Sequence, residues 1–246
     1  MGGAGRDGWG GGANQGRPAR RGERVTRRSA PGGVPAVLPR PLRAWLGIAA
    51  ALAAVVVVSL GVLYAGRDRP GQVDVWAAPV GNDVSSPWRQ LALILDSLGE
   101  PLGSAALVVA ALAGSLLLRW SRAVVFIVVG VGVTVGAATL GKHLAGRTIH
   151  GGNLSYPSGH TAFFTALALM VALLAAGRLR LGRAAGTLLV CVVTLVAGAA
   201  MGWAQVVLGA HYPTDVLGGW CTAWVAVGAT AWTVDGLANS TPAKVT

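Results

Sequence analysis

Charged side chains are scarce in this 246-residue chain: 12% of its residues are Asp, Glu, Lys or Arg, whereas 53% are hydrophobic. An ordinary soluble domain carries about twice that charged fraction, which argues against a large water-exposed surface and for a membrane protein. Acids are scarcer than bases, nine against twenty, and no carboxylate cluster able to hold Mg²⁺ is expected. Cysteine occurs only at Cys191 and Cys221, both inside apolar runs and neither with CxxC or Cys/His spacing. That argues against a zinc site and leaves small packed side chains as their reading. Histidine is confined to His143, His150, His160 and His211.

What the chain has in quantity is uninterrupted apolar sequence. Six runs, Ala44 to Ala65, Pro101 to Leu118, Ala123 to Gly141, Thr161 to Gly177, Ala184 to Trp203 and Val216 to Val234, approach or reach the length of about 20 residues that a spanning helix needs. The expected fold is all-α, a six-transmembrane-helix bundle occupying residues 43–236. Residues 1–42, rich in Gly, Arg and Pro with no apolar period, read as a disordered cytoplasmic tail. Residues 237–246 form a short C-terminal tail. A cleaved signal peptide is not expected, because the first apolar run begins late and is long enough to span.

The net charge of +11 would suit nucleic acid, yet nine of the basic residues are arginines in the first 43 positions and others lie between runs. With the tail in the cytoplasm, Arg119, Arg122, Arg178, Arg180, Arg183 and Lys244 also fall inside, as the positive-inside rule requires. Membrane topology accounts for the charge, so membrane lipids are expected partners and nucleic acid is not. The opposite face, in what reads as a bacterial plasma membrane, collects Arg67, Arg69 and Arg89 with the acids Asp68, Asp74, Asp83, Asp96 and Glu100, plus Lys142, Arg147 and Asp215. Between the first two runs, Trp88 to Leu98 suits a short interfacial helix.

All four histidines fall at extracytoplasmic ends of spans in this topology. His160 and His211 are separated by one span down, an arginine turn and one span back. In Tyr156-Pro157-Ser158-Gly159-His160-Thr161, Ser158 is an N-cap candidate, and the following N–H groups with the positive helix end favour a bound anion such as phosphate. An ordinary interfacial helix cap is the plainer reading of the Ser-Gly pair. In His211-Tyr212-Pro213-Thr214-Asp215 the carboxylate can reach back to the imidazole, fix its tautomer and leave the other ring nitrogen free as a nucleophile. A capping Asp beside an interfacial His is the alternative. His143 and His150 have no sequence-near carboxylate and read as polar loop residues. Lys142 and Arg147 suit either lipid headgroup anchoring or phosphate binding.

At these residues the chain, over roughly Gly141 to Trp224, resembles the type 2 phosphatidic acid phosphatase superfamily. The family's Pro-Ser-Gly-His motif stands intact as Pro157-Ser158-Gly159-His160. Its motif of Ser-Arg, five residues, His, three residues and Asp is matched by His211 and Asp215, with Ala204 and Gln205 in place of Ser-Arg. Its motif of Lys, six residues and Arg-Pro is matched by Lys142 alone, with Ile149 and His150 at the Arg-Pro positions and Arg147 two residues earlier.

The resemblance implies a metal-independent, cofactor-free phosphatase acting on a lipid phosphate or polyprenyl diphosphate. His211 would be the nucleophile, Asp215 its orienting acid and His160 the proton donor, through a phosphohistidine. Lys142, Arg147, Ser158, Gly159 and Gln205 would surround the phosphoryl oxygens. A non-catalytic lipid-phosphate binder or transporter is the alternative on the same fold. A haem-binding bundle would hold its histidines within the spans, not at their ends beside Pro and Gly.

Overall fold

The computed structural model describes Met1 and residues 36–77 and 84–240. Residues 2–35 of the expected 1–42 tail and residues 241–246 of the expected 237–246 tail lie outside the described residues; within 36–42, Val37, Leu38 and Leu42 are buried, and 237–240 continue the last helix. A 3-10 turn, Arg40–Leu42, leads into α1 (Arg43–Leu63), followed by α2 (Gln72–Ala77), α3 (Ser86–Gly99), α4 (Pro101–Leu117) and α5 (Ser121–Ala145). A two-stranded antiparallel hairpin, β1 (Thr148–Ile149) with β2 (Asn153–Leu154), precedes α6 (Gly159–Arg178), α7 (Arg183–Val207) and α8 (Pro213–Ser240).

Four helical segments are long and apolar enough to cross a membrane: Arg40–Leu63, Ser121–Ala145, Gly159–Arg178 and Arg183–Val207. The chain is an integral membrane protein. The count differs from the six runs read in the sequence at two places. The run at Pro101 becomes α4, which is bent by 65° from α3 and completes a fifth crossing only if the two are taken as one broken span. The last run lies within α8, which is long but not among the four. Trp220, Trp224 and Trp232, with several Thr and Gly, dilute its hydropathy, and much of its surface faces protein rather than lipid.

The core gathers on α6, which contributes Phe163, Leu169, Met170 and Leu173, and packs α7, α8 and α5 around it. Burial against helices, not lipid, is what keeps these residues together, and close approach needs small residues at the crossings. A Cβ at Gly198 would collide with the Trp220 ring, and one at Gly219 with the Ser158 carbonyl. The outward faces of α1 and α7 instead expose Leu52, Val55 and Val58, and Leu188, Val192 and Leu195, the apolar belt that hydrocarbon would solvate.

The two ends of the bundle differ. One carries the turns Leu118–Trp120 and Leu179–Gly182 with their arginines, brought together around a groove lined by Trp120 and Arg178. Asp235 of α8 anchors the start of the described chain there, accepting from the Val37 and Leu38 amides at 3.0 and 3.1 Å and pairing with Arg43 at 3.3 Å. The other end holds the hairpin and the starts of α6 and α8. Gly146, in the left-handed region at φ 59°, ends α5 by donating to the Lys142 carbonyl, a conformation glycine adopts without a Cβ penalty. The Tyr156 hydroxyl donates to the Val57 carbonyl at 2.6 Å and ties the loop after the hairpin to α1.

Candidate active site

Arg147 and Asp215 are the most buried charges at this end, both at zero exposure. The turn at Gly146 carries the Arg147 side chain inward. Its Nη1 donates to Thr214 Oγ1 and Asp215 Oδ1, both at 2.6 Å, and Nη2 to Asp74 Oδ2 at 2.5 Å. The guanidinium lies between two rings, 4.2 Å from the centroid of Tyr64 and 4.5 Å from that of Tyr212. Stacking and paired carboxylates are what a desolvated guanidinium requires. Asp74 also accepts from the Thr214 amide and hydroxyl and from the Gly71 amide. Burial pushes its pKa up, but these hydrogen bonds and the one from Arg147 outweigh it and hold the carboxyl below its ordinary value of 3.8. The sequence places Arg147 beside the phosphoryl oxygens. In the structure both its Nη atoms are committed to Asp74, Thr214 and Asp215, and its charge acts on the acid.

Asp215 stands in the first turn of α8, with Oδ2 accepting from the Tyr212 amide at 3.1 Å and its carbonyl accepting from the Ser158 amide at 2.9 Å. That last bond joins the two histidine motifs. His211 Nδ1 lies 3.8 Å from Asp215 Oδ2, close enough for charge attraction and beyond hydrogen-bond length. Nδ1 has no hydrogen-bond partner among the described residues. Burial lowers the His211 pKa; Asp215 opposes that, and positive charge at Lys142 and His160 adds to it, so the imidazole titrates below its ordinary 6.5. His211 lines a cavity of about 320 Å³ with Ile149, His150 and Tyr212. Where the family pattern has arginine, Ile149 thus presents an apolar wall. His150 Nε2 donates to the Gly209 carbonyl at 2.7 Å, so this loop histidine braces the turn before His211, while His143 is exposed on α5.

His160 occupies the first turn of α6 behind its N-cap, Ser158, whose Oγ accepts from the Thr161 amide at 3.4 Å and lies 3.1 Å from the Thr161 hydroxyl. A second cavity, of about 350 Å³, is lined by Lys142, Gly159, His160, Glu100, Thr139 and Phe163 among others. His160 Nε2 lies 3.7 Å from Asp96 Oδ1 and 3.6 Å from Glu100 Oε1. Gln205, almost fully buried, donates from Nε2 to Asp96 Oδ1 at 2.7 Å. Expected near the phosphoryl oxygens, its amide is directed at a carboxylate instead.

Asp96 and Glu100 flank the bend between α3 and α4, and Gly99 brings that bend against the imidazole: a Cβ there would overlap the His160 ring. This corrects the sequence expectation that no carboxylate cluster able to hold a metal exists. Asp96, Glu100 and His160 present ligand atoms within 4.8 Å of one another, although some 60 residues separate the acids from the imidazole. That set offers two carboxylate oxygens and one ring nitrogen, which suits a divalent cation in kind. Asp74, Asp96 and Glu100 escaped assignment to the site from sequence. Their only signal was a place between the first two apolar runs, on the face assigned to the histidines.

Two imidazoles, a lysine and a helix N-terminus therefore share one end of the bundle, where the Ser158 amide and the Asp215 carbonyl join the two histidine motifs. No curated protein matches the chain. The fold is similar to that in the crystal structure of the first transmembrane PAP2 type phosphatidylglycerolphosphate phosphatase from Bacillus subtilis, at a TM-score of 0.60 and 17% identity, covering 79% of this chain and 98% of that one. The family model of the PAP2 superfamily matches residues 42–237, which runs from the start of α1 to near the end of α8 and takes in both histidine motifs, and the chain belongs to that superfamily.

Proposed function

We propose that this protein is an integral membrane phosphatase that releases phosphate from a lipid phosphate or polyprenyl diphosphate through a phosphohistidine. The observation that carries this reading is the gathering of His211, Asp215, His160 and Lys142 at one end of a PAP2 bundle. With Nδ1 of His211 turned to Asp215, Nε2 is the nitrogen free to attack phosphorus. The P–O bond to the leaving group breaks as the P–N bond forms, and His160 gives its proton to the departing oxygen. His160 then takes a proton from water, whose oxygen attacks phosphorus. The P–N bond breaks, phosphate leaves and both imidazoles are restored.

Lys142 and the amides opening α6 face the charge that develops on the phosphoryl oxygens. Ile149 and Gln205 supply no charge where the family pattern has arginine, and each lost donor of that kind costs about 2.7–4 kcal/mol of transition-state stabilisation. Turnover slower than that of a member with both arginines is the consequence. Arg147 and Asp215 work as a unit, the first holding the second in place to orient His211.

In this reading residues 43–236 form a six-span domain, with α3 and α4 sharing the second crossing. The arginine turns and both termini are cytoplasmic and the histidine end is extracytoplasmic. The segregation of Arg119, Arg122, Arg178, Arg180 and Arg183 to the opposite end supports it.

The test is phosphate release by the purified protein across a panel of lipid phosphates and diphosphates, a phosphatidylglycerolphosphate included. His211→Ala should abolish release. Activity that survives in that variant sinks the mechanism, and binding without turnover in the unaltered protein makes it a lipid-phosphate binder.

A further inference from the structure

Resting on the phosphatase reading, we infer that Asp96 and Glu100 are specificity-determining residues that select a phosphate monoester, whose leaving group is a neutral alcohol, against a diphosphate. In-line displacement by His211 sends the leaving oxygen to His160, within about 3 Å of the donor nitrogen. The surroundings of His160 are thus the surroundings of the leaving group. They are acidic: carboxylate oxygens stand 3.6 and 3.7 Å from its Nε2. Lys142 is the one Lys or Arg among the described residues lining that cavity. Arg147, the other cation expected at the phosphate, is consumed by Asp74 and Asp215.

Gln205 adds to this. At 2.7 Å it holds Asp96 with an uncharged amide, so the carboxylate is oriented without being neutralised, as an arginine at that position would neutralise it.

The two substrate classes differ in what the bond cleavage leaves beside those carboxylates. A monoester's departing oxygen becomes a neutral hydroxyl once His160 has protonated it. A headgroup with further hydroxyls can also donate to Glu100, which is 57% exposed and free to turn. A diphosphate's departing oxygen belongs to a lipid monophosphate, whose remaining negative charge is placed one bond away, facing two carboxylates with a single lysine to offset them. Like charges at such range in a site partly shielded from water are a selective penalty.

The test compares farnesyl monophosphate with farnesyl diphosphate, the same chain with one phosphate more, in detergent micelles with the full-length protein. The unaltered protein should favour the monophosphate in kcat/KM by about tenfold or more. Glu100→Gln and Asp96→Asn should each lower that ratio by about fivefold or more, through a gain on the diphosphate. Gln205→Arg, which pairs with Asp96, should shift it the same way. Glu100 is exposed enough that Glu100→Gln decides the matter should Asp96→Asn fail to fold. A preference for the diphosphate in the unaltered protein, or a ratio that Glu100→Gln leaves unmoved, overturns the inference and leaves the phosphatase reading standing. Release from neither substrate, nor from any lipid of the wider panel, overturns both.

Discussion

Arg147 and Asp215 form an ion pair with no solvent exposure on either side chain, Nη1 2.6 Å from Oδ1, and this pair links the folding of the site to the placing of the proposed nucleophile, His211. Asp215 faces His211 with one oxygen and Arg147 with the other. The buried cation therefore sets where the carboxylate stands.

Arg147→Ala should destabilise the protein by about 3–5 kcal/mol, the cost of leaving buried carboxylates without their partner. Denaturant titration in detergent measures it. Arg147→Lys should recover only part of the loss, because an ammonium cannot reach Asp74 and Asp215 as a fork or stack between Tyr64 and Tyr212. Equal stability of Arg147→Lys and the unaltered protein would show that charge alone matters.

Asp215→Asn should cut kcat by about a hundredfold or more, the scale of a positioned acid–base partner, while the burst of phosphoenzyme, if seen by rapid quench, slows in parallel. A variant with unchanged kcat would remove Asp215 from the mechanism.

The lowered pKa of His211 makes two pH predictions. Attack needs the neutral imidazole, so the rising limb of kcat/KM against pH should fall below the ordinary histidine value of 6.5. Between the folded pKa and 6.5 the unfolded chain binds more protons than the folded one, so stability from this residue is full above 6.5 and is lost as pH falls through the folded pKa. His211→Gln should flatten the fall in melting temperature across that window, and an equally steep fall in the variant would refute the assignment.

Gly99→Ala should impair catalysis through His160. The added methyl overlaps the imidazole; overpacking of this sort costs about 1–3 kcal/mol, and a displacement of about 1 Å at a reacting group can cost about a hundredfold in rate. Steady-state kinetics should show the drop in kcat with the melting temperature only modestly reduced.

Chelation separates the proposed chemistry from a metal-dependent one. Because every proposed step uses Lys142, two imidazoles and helix amides, EDTA should leave turnover within about twofold. Loss of activity that added Mg²⁺ or Zn²⁺ restores would make Asp96, Glu100 and His160 metal ligands instead.

Much of the architecture was legible without coordinates, because hydrocarbon imposes a simple rule: backbone polar groups must pair within a helix and side chains must be apolar. The runs at Ala44, Ala123, Thr161 and Ala184 became α1, α5, α6 and α7 accordingly. The rule weakens where a helix is wrapped by protein, as α8 is, and where a proline follows a bend, as at Pro101. Those two runs became α4 and α8, which by length or composition alone fall short of a plain span.

By itself the sequence determined that the chain enters the membrane, that His160 opens one helix behind Ser158 and that Asp215 stands four residues after His211, within reach of it, since each depends on local spacing or on composition. Only the tertiary structure decided what the charges do. Arg147, four residues from nothing acidic, is matched by Asp74 and Asp215 from two other segments. Gln205 reaches Asp96 across 109 positions, and the bend at Gly99 brings two carboxylates to His160. A buried charge takes its partner from whatever the packing places beside it, and packing joins segments whose separation along the chain carries no trace of their contact.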